Sequence, residues 1–155
     1  MKRAWAAMVG GMLFMVGFAA LAQNSPEEQL KNAVEMRQGL FKLMGWNMAP
    51  LAGMLRSKVP FDAAVVQKNA ERMLHLGEMI PDAFQADTRS AKVKTEALEG
   101  IWSSKSDFDA KAMEMTKAAA ALIEAAKSGD KSTTLRAAGA LGKSCGSCHD
   151  TFRQK

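Results

Sequence analysis

The chain has 155 residues, 48% of them apolar and 24% charged, with 12 Met, 3 Trp and no Tyr. That length predicts one domain, large enough to bury a core without disulfide support, and the excess of Ala, Leu, Met, Lys and Glu over β-branched residues predicts an all-α fold. The formal net charge of +5 is mild and dispersed, and no Lys/Arg stripe is interleaved with aromatics, which argues against a nucleic-acid partner.

Residues 1–22 open with Lys2 and Arg3, continue through an apolar run from Ala4 to Ala19 and close on Ala20-Leu21-Ala22. A basic start, a hydrophobic middle and an A-x-A end predict a secretory signal peptide cut before Gln23. A retained anchor is the competing reading, but the run is at the short limit for a membrane span and contains three glycines. Cleavage leaves residues 23–155 as the mature domain, without a membrane segment and with 19 basic against 16 acidic residues.

Asn24-Ser25-Pro26-Glu27-Glu28 is a helix start: Asn24 or Ser25 caps, proline suits the first turn and the glutamates meet the positive end of the dipole. The helix is expected to run to about Met48, before Pro50. Leu30, Val34, Arg37, Phe41, Met44 and Met48 alternate in steps of four and three and predict one inward stripe. Ala33, Met36, Leu40 and Leu43 form a second. Two stripes fit either a broad core face or a core face beside a partner face. Arg37 on a core-facing row needs a partner or must snorkel to the bundle edge.

Residues 50–60 read as an irregular crossover, broken by Gly53 and Val59-Pro60. Asp62 is expected to cap a second helix running to about Met79, with Val66, Asn69, Met73 and Ile80 inward and Lys68, Glu71, Arg72, His75 and Glu78 outward, so His75 reads as a surface residue. Residues 81–106 lack periodicity and predict a long connection anchored by Ile101-Trp102, with a short helix at 95–102. Asp107 is expected to cap a third helix whose inward row is Phe108, Ala112, Met115, Ala119, Leu122 and Ala126, ended by Gly129.

After an Asp130-Lys131-Ser132 link, a fourth helix carries Leu135, Ala138, Leu141, Cys145, Cys148, His149 and Phe152. Its middle, with Ala137, Ala138, Gly139, Ala140 and Gly142, suits a planar cofactor or close helix packing. Cys145-Gly-Ser-Cys148-His149 is the attachment signature of a c-type haem. Both thiols add across the vinyl groups, His149 gives a ring nitrogen to the iron, and positions i, i+3 and i+4 share one helical face. A thioredoxin-like dithiol would need a βαβ context and a zinc site four ligands. Neither is offered by a chain with two cysteines and only one further histidine, His75.

The mature chain resembles a class II c-type cytochrome, specifically the cytochrome c′ family. The markers are Met36-Arg37-Gln38, Val59-Pro60-Phe61-Asp62, Ile101-Trp102 and the stretch from Cys145 to Arg153. The resemblance implies an antiparallel four-helix bundle with one covalent haem c on its C-terminal helix, attached outside the cytoplasm and hence periplasmic. It further implies a homodimer packed through the first two helices, to which Ala33, Met36, Leu40 and Leu43 would contribute. Low-spin relatives place a methionine four residues after the position matched by Arg37. Here that residue is Phe41, which cannot ligate iron. The resemblance thus implies a five-coordinate haem under an apolar ring, with Arg37 and Gln38 at the propionates and Arg153 near the proximal face. Met44, one turn from Phe41, is the competing thioether ligand.

The expected function is a non-enzymatic haem protein that binds nitric oxide and carbon monoxide and transfers electrons. The alternative is a low-spin one-electron carrier ligated by Met44. A peroxidase would need a distal histidine or acid to handle protons, and none is evident.

Overall fold

A computed structural model describes residues 25–155; the signal-peptide expectation for residues 1–22 lies outside them. Four long helices, α1 (Pro26–Leu55), α2 (Ala63–Glu78), α5 (Lys105–Lys127) and α6 (Lys131–Phe152), form an antiparallel bundle, with short helices α3 (Ile80–Ala83) and α4 (Gly100–Ser103) in the α2–α5 connection. Among the described residues the only β-type pairing is one isolated bridge, between Ala97 and Arg153. No described helix is long and apolar enough to cross a membrane.

Two helix starts form where the sequence places them. Ser25 accepts a hydrogen bond from the Glu28 N–H at 3.2 Å and Asp62 from that of Val65 at 3.0 Å, each satisfying a donor with no partner inside the helix. α1, however, does not stop before Pro50 but continues to Leu55. Proline withdraws one backbone donor, the one that would meet the carbonyl of Trp46. Trp46 is 64% exposed, on the side where water can take that bond, while Leu51 and Met54 anchor the last turns in the core.

Two later starts are also displaced. α5 begins at Lys105 after Ser104, which places Asp107 in the first turn instead of at the cap, where its charge still faces the positive helix end. α6 begins at Lys131, because Asp130 accepts from the Thr133 N–H at 2.7 Å. Gly129, at φ 71°, takes the left-handed position after α5. The short helix expected at 95–102 is confined to Gly100–Ser103, since the backbone of residues 96–98 pairs with residues 152–154.

The core is shared by all four long helices, with Leu51, Met73, Leu122 and Leu141 and the connection's Ile101 almost inaccessible to solvent. The inward rows of α2 and α5 are buried as their periodicity predicts, with Ala70, Gly77 and Ile123 added. α2 approaches α5 so closely at Gly77 that a Cβ there would lie 2.9 Å from Met115 Sδ and 3.1 Å from Thr116 Oγ1.

Candidate haem site

The last turns of α6 carry the attachment motif. Cys145 and Cys148 are free, half-buried thiols packed against the hydrophobic core. Burial pushes both thiols up, opposed at Cys145 by a hydrogen bond with Ser144 and at Cys148 by the nearby Lys111 ammonium. Both therefore favour the neutral thiol over the thiolate. Lys111 Nζ also donates to Ser147 Oγ at 2.8 Å, tying α5 to the turn between the two cysteines. His149 is exposed at the helix edge, and burial of its ring, then the Arg153 charge, lower its proton affinity. Its imidazole keeps a lone pair for a metal at neutral pH.

These residues fit a haem. Two unpaired thiols and a neutral imidazole stand on one helical surface, and a Cβ built on Gly142 or Gly146 would meet nothing within 4 Å. Among the described residues no group of three or more His, Cys, Asp or Glu side chains is arranged to hold a metal ion. A zinc site thus lacks its other ligands.

On α1 the buried row is Val34, Arg37, Leu40, Met44, Asn47, Leu51 and Met54. Leu40, expected in the flanking stripe, lies inside, whereas Phe41, expected inside, is 39% exposed at the row's edge. The helix turned its inward face slightly, because residues 51 and 54 extend the row beyond Pro50 and fix its direction. The flanking stripe divides accordingly, with Met36 and Leu43 exposed. Phe41 packs on Phe84 at 6.1 Å between ring centroids. Phe84 packs on Phe108 at 4.7 Å, and Phe108 lies edge-on to Phe152 at 5.4 Å, one turn beyond His149. Aromatic packing thus links Phe41 to the motif's end of α6. Met44 lies within the core cluster against which both cysteines pack.

Arg37 is 4% exposed and does not snorkel. It donates from Nε to the Ala83 carbonyl at 2.5 Å, and from its terminal nitrogens to Thr88 Oγ1 at 2.5 Å and the Ala86 carbonyl at 2.6 Å. The guanidinium lies 4.6 Å from the Phe84 ring centre and 5.4 Å from that of Trp102. Burial lowers its proton affinity, and the Asp87 carboxylate opposes that. Gln38 donates to the Lys94 carbonyl at 3.0 Å. Arg37 and Gln38 therefore brace the α2–α5 connection, and three of Arg37's five N–H donors are already engaged there.

Arg153 ends α6, with its N–H on the His149 carbonyl at 3.1 Å. Its side chain reaches Glu96. His75 is exposed and meets Glu78 at 3.3 Å. Phe84, Thr88, Glu96, Lys111 and Ser147 complete the surroundings. None was legible beforehand, because their partners are remote in sequence and residues 84–96 carry no period.

A family described as cytochrome C′ matches residues 32–153. A curated relative, cytochrome c-554 of Cereibacter sphaeroides, is 36% identical over 143 residues, covering 91% of this chain and 92% of its own. Among solved structures, cytochrome c prime from Shewanella frigidimarina aligns with a TM-score of 0.76 at 39% identity, over 83% of this chain and 98% of that one. A nitric oxide complex of a variant cytochrome c prime from Alcaligenes xylosoxidans aligns at 0.72 and 29% identity, over 81% and 97%.

Proposed function

Because the chain belongs to the cytochrome c′ family and carries covalent haem c, we propose that it is a periplasmic protein whose five-coordinate haem binds nitric oxide and carbon monoxide and can exchange electrons. Bound haem supplies an iron centre that takes one diatomic ligand or one electron. Cys145 and Cys148 would anchor it and His149 would give its lone pair to the iron. The Phe41 ring would shield the incoming diatomic ligand. The observation that carries this reading is the Phe41 ring, 39% exposed at the edge of α1 and backed by the buried Phe84. A phenyl group neither ligates iron nor donates a hydrogen bond. Dioxygen, which gains most from a donor near its developing charge, is therefore favoured less than nitric oxide or carbon monoxide. The nitric oxide complex of the Alcaligenes xylosoxidans relative supports the same ligand class.

The two N–H donors of Arg37 beyond its three bonds, together with the Gln38 amide, are what remains for the propionates. His75 is on the outer face of α2, and the proposed role is that of a binder and carrier. Export removes residues 1–22, so an intact mass should equal a chain from Gln23 plus one haem. Titrating the reduced protein with nitric oxide under an absorption spectrometer tests the function. One equivalent should complete the change, and an unchanged spectrum contradicts it.

The electron-carrier alternative rests on Met44, which is on the inward row of α1. Its 7% exposure places the thioether within the core cluster, so ligation would require it to leave that packing. This favours the five-coordinate reading.

A further inference from the structure

At the end of the bundle away from the haem motif, the last turn of α1, the α1–α2 connection and the first residue of α6 border a groove of about 350 Å³. Small-molecule sites usually run from about 300 to 1,000 Å³. Lys131 and His149 stand near opposite ends of α6, about 27 Å apart at a rise of about 1.5 Å per residue. Met54, Val59, Pro60 and Phe61 give the groove an apolar wall, on which Val59 remains 44% exposed. Its polar lining is Ser57, Lys58 and Lys131, with no acidic residue. The carboxylates next in sequence, Asp62 and Asp130, are engaged as helix caps by the N–H groups of Val65 and Thr133. Neither ammonium has an ion-pair partner among the described residues.

Two of the polar residues break the local rule for their place in the chain. α1 closes with the Ser57 N–H on the Met54 carbonyl at 3.1 Å and the Lys58 N–H on the Gly53 carbonyl at 2.9 Å, a helix ending whose left-handed residue is usually glycine. Here it is Ser57, at φ 54°, the one non-glycine residue with a positive φ among those described. Its hydroxyl makes no hydrogen bond within the described chain, so no local bond offsets the strain. Lys131 opens α6, where the positive helix end favours an acidic side chain and opposes an ammonium. Neither choice serves the fold, and both residues line one concavity. Locally unfavourable residues that converge in this way mark a site.

We propose that the groove binds a small amphipathic carboxylate of about the size of octanoate. Its alkyl chain lies on the apolar wall, while its carboxylate meets the Lys58 and Lys131 ammoniums and accepts a hydrogen bond from the Ser57 hydroxyl. The test is amide chemical-shift mapping of the isotope-labelled, reduced holoprotein with octanoate, octylammonium and acetate as probes. Octanoate should shift the amides of residues 54–61 and 131 saturably while the haem spectrum stays unchanged. Acetate, which keeps the charge without the chain, should bind about tenfold more weakly, and octylammonium should leave those amides in place. Lys58→Gln combined with Lys131→Gln should weaken octanoate about fivefold. Ser57→Gly should weaken it about fivefold as well, yet raise the thermal midpoint, because glycine takes the left-handed conformation without strain. Octanoate that shifts no amide at the groove, changes the haem spectrum instead, binds no better than acetate or octylammonium, or binds the lysine or Ser57→Gly variants as tightly as wild type overturns the proposal.

Discussion

Phe41 and Met44 stand one turn apart on α1 and give the two functional readings opposite expectations. Removing the Phe41 ring should open the ligand side, so Phe41→Ala should bind carbon monoxide faster or more tightly with the axial histidine unchanged. Phe41→Met should move the iron toward a low-spin state, because a strong-field thioether then has a position from which to reach it. Met44→Ala should leave the wild-type spin state as it is, and conversion from low to high spin would favour the carrier alternative. Arg37 makes a prediction of another kind. Arg37→Met removes three hydrogen bonds to Ala83, Ala86 and Thr88 and takes the arginine donor from the buried Thr88 hydroxyl, while the exposed Ala86 carbonyl keeps the Trp102 indole N–H, which should cost about 2 kcal/mol in denaturant unfolding. That Arg37 needs a partner was legible from its place on an apolar row. The identity of the partner was not, because the acceptors lie 46 to 51 residues further on and two of them are backbone carbonyls, which any residue supplies. The haem-attachment motif was legible in full, since its chemistry is local.

The helices were legible where periodicity and caps coincide, as in α2 between Asp62 and Glu78, and less so where a single breaker was weighed against unseen packing. Pro50 predicts an end to α1, yet burial of Leu51 and Met54 outweighs one lost backbone bond. The same two residues turn the inward row so that Leu40 replaces Phe41, a shift too small for spacing to resolve. Gly77 shows what periodicity omits: it lies on the inward row of α2, where the helix approaches α5 too closely for a larger side chain. Gly77→Val should therefore cost about 2 kcal/mol, measured as a lower denaturation midpoint with an unchanged slope, because a side chain there must displace Met115 and Thr116. A neutral effect would mean that the two helices separate without penalty.

At the scale of the molecule, α1 presents an outer apolar face as well as an inner one. Met36, Leu43 and Trp46 are 68%, 52% and 64% exposed, and the Arg72 guanidinium of α2 lies 5.5 Å from the Trp46 ring centre. The homodimer implied by the family resemblance, packed through α1 and α2, would cover this face; in such a dimer Trp46→Glu should halve the sedimenting mass while leaving the haem spectrum unchanged, and a wild type that already sediments as a monomer contradicts it. The bundle packs its apolar core against Cys145 and Cys148, keeps the one other histidine on the outer surface of α2 and sets a phenyl ring, not a ligand, at the edge of α1. The proposed function requires an iron with one protein ligand. The most direct test is the absorption spectrum of the purified reduced protein before and after carbon monoxide. A five-coordinate iron gives a high-spin spectrum that one equivalent of carbon monoxide converts completely; a low-spin, six-coordinate spectrum that carbon monoxide leaves unchanged would contradict the proposed function.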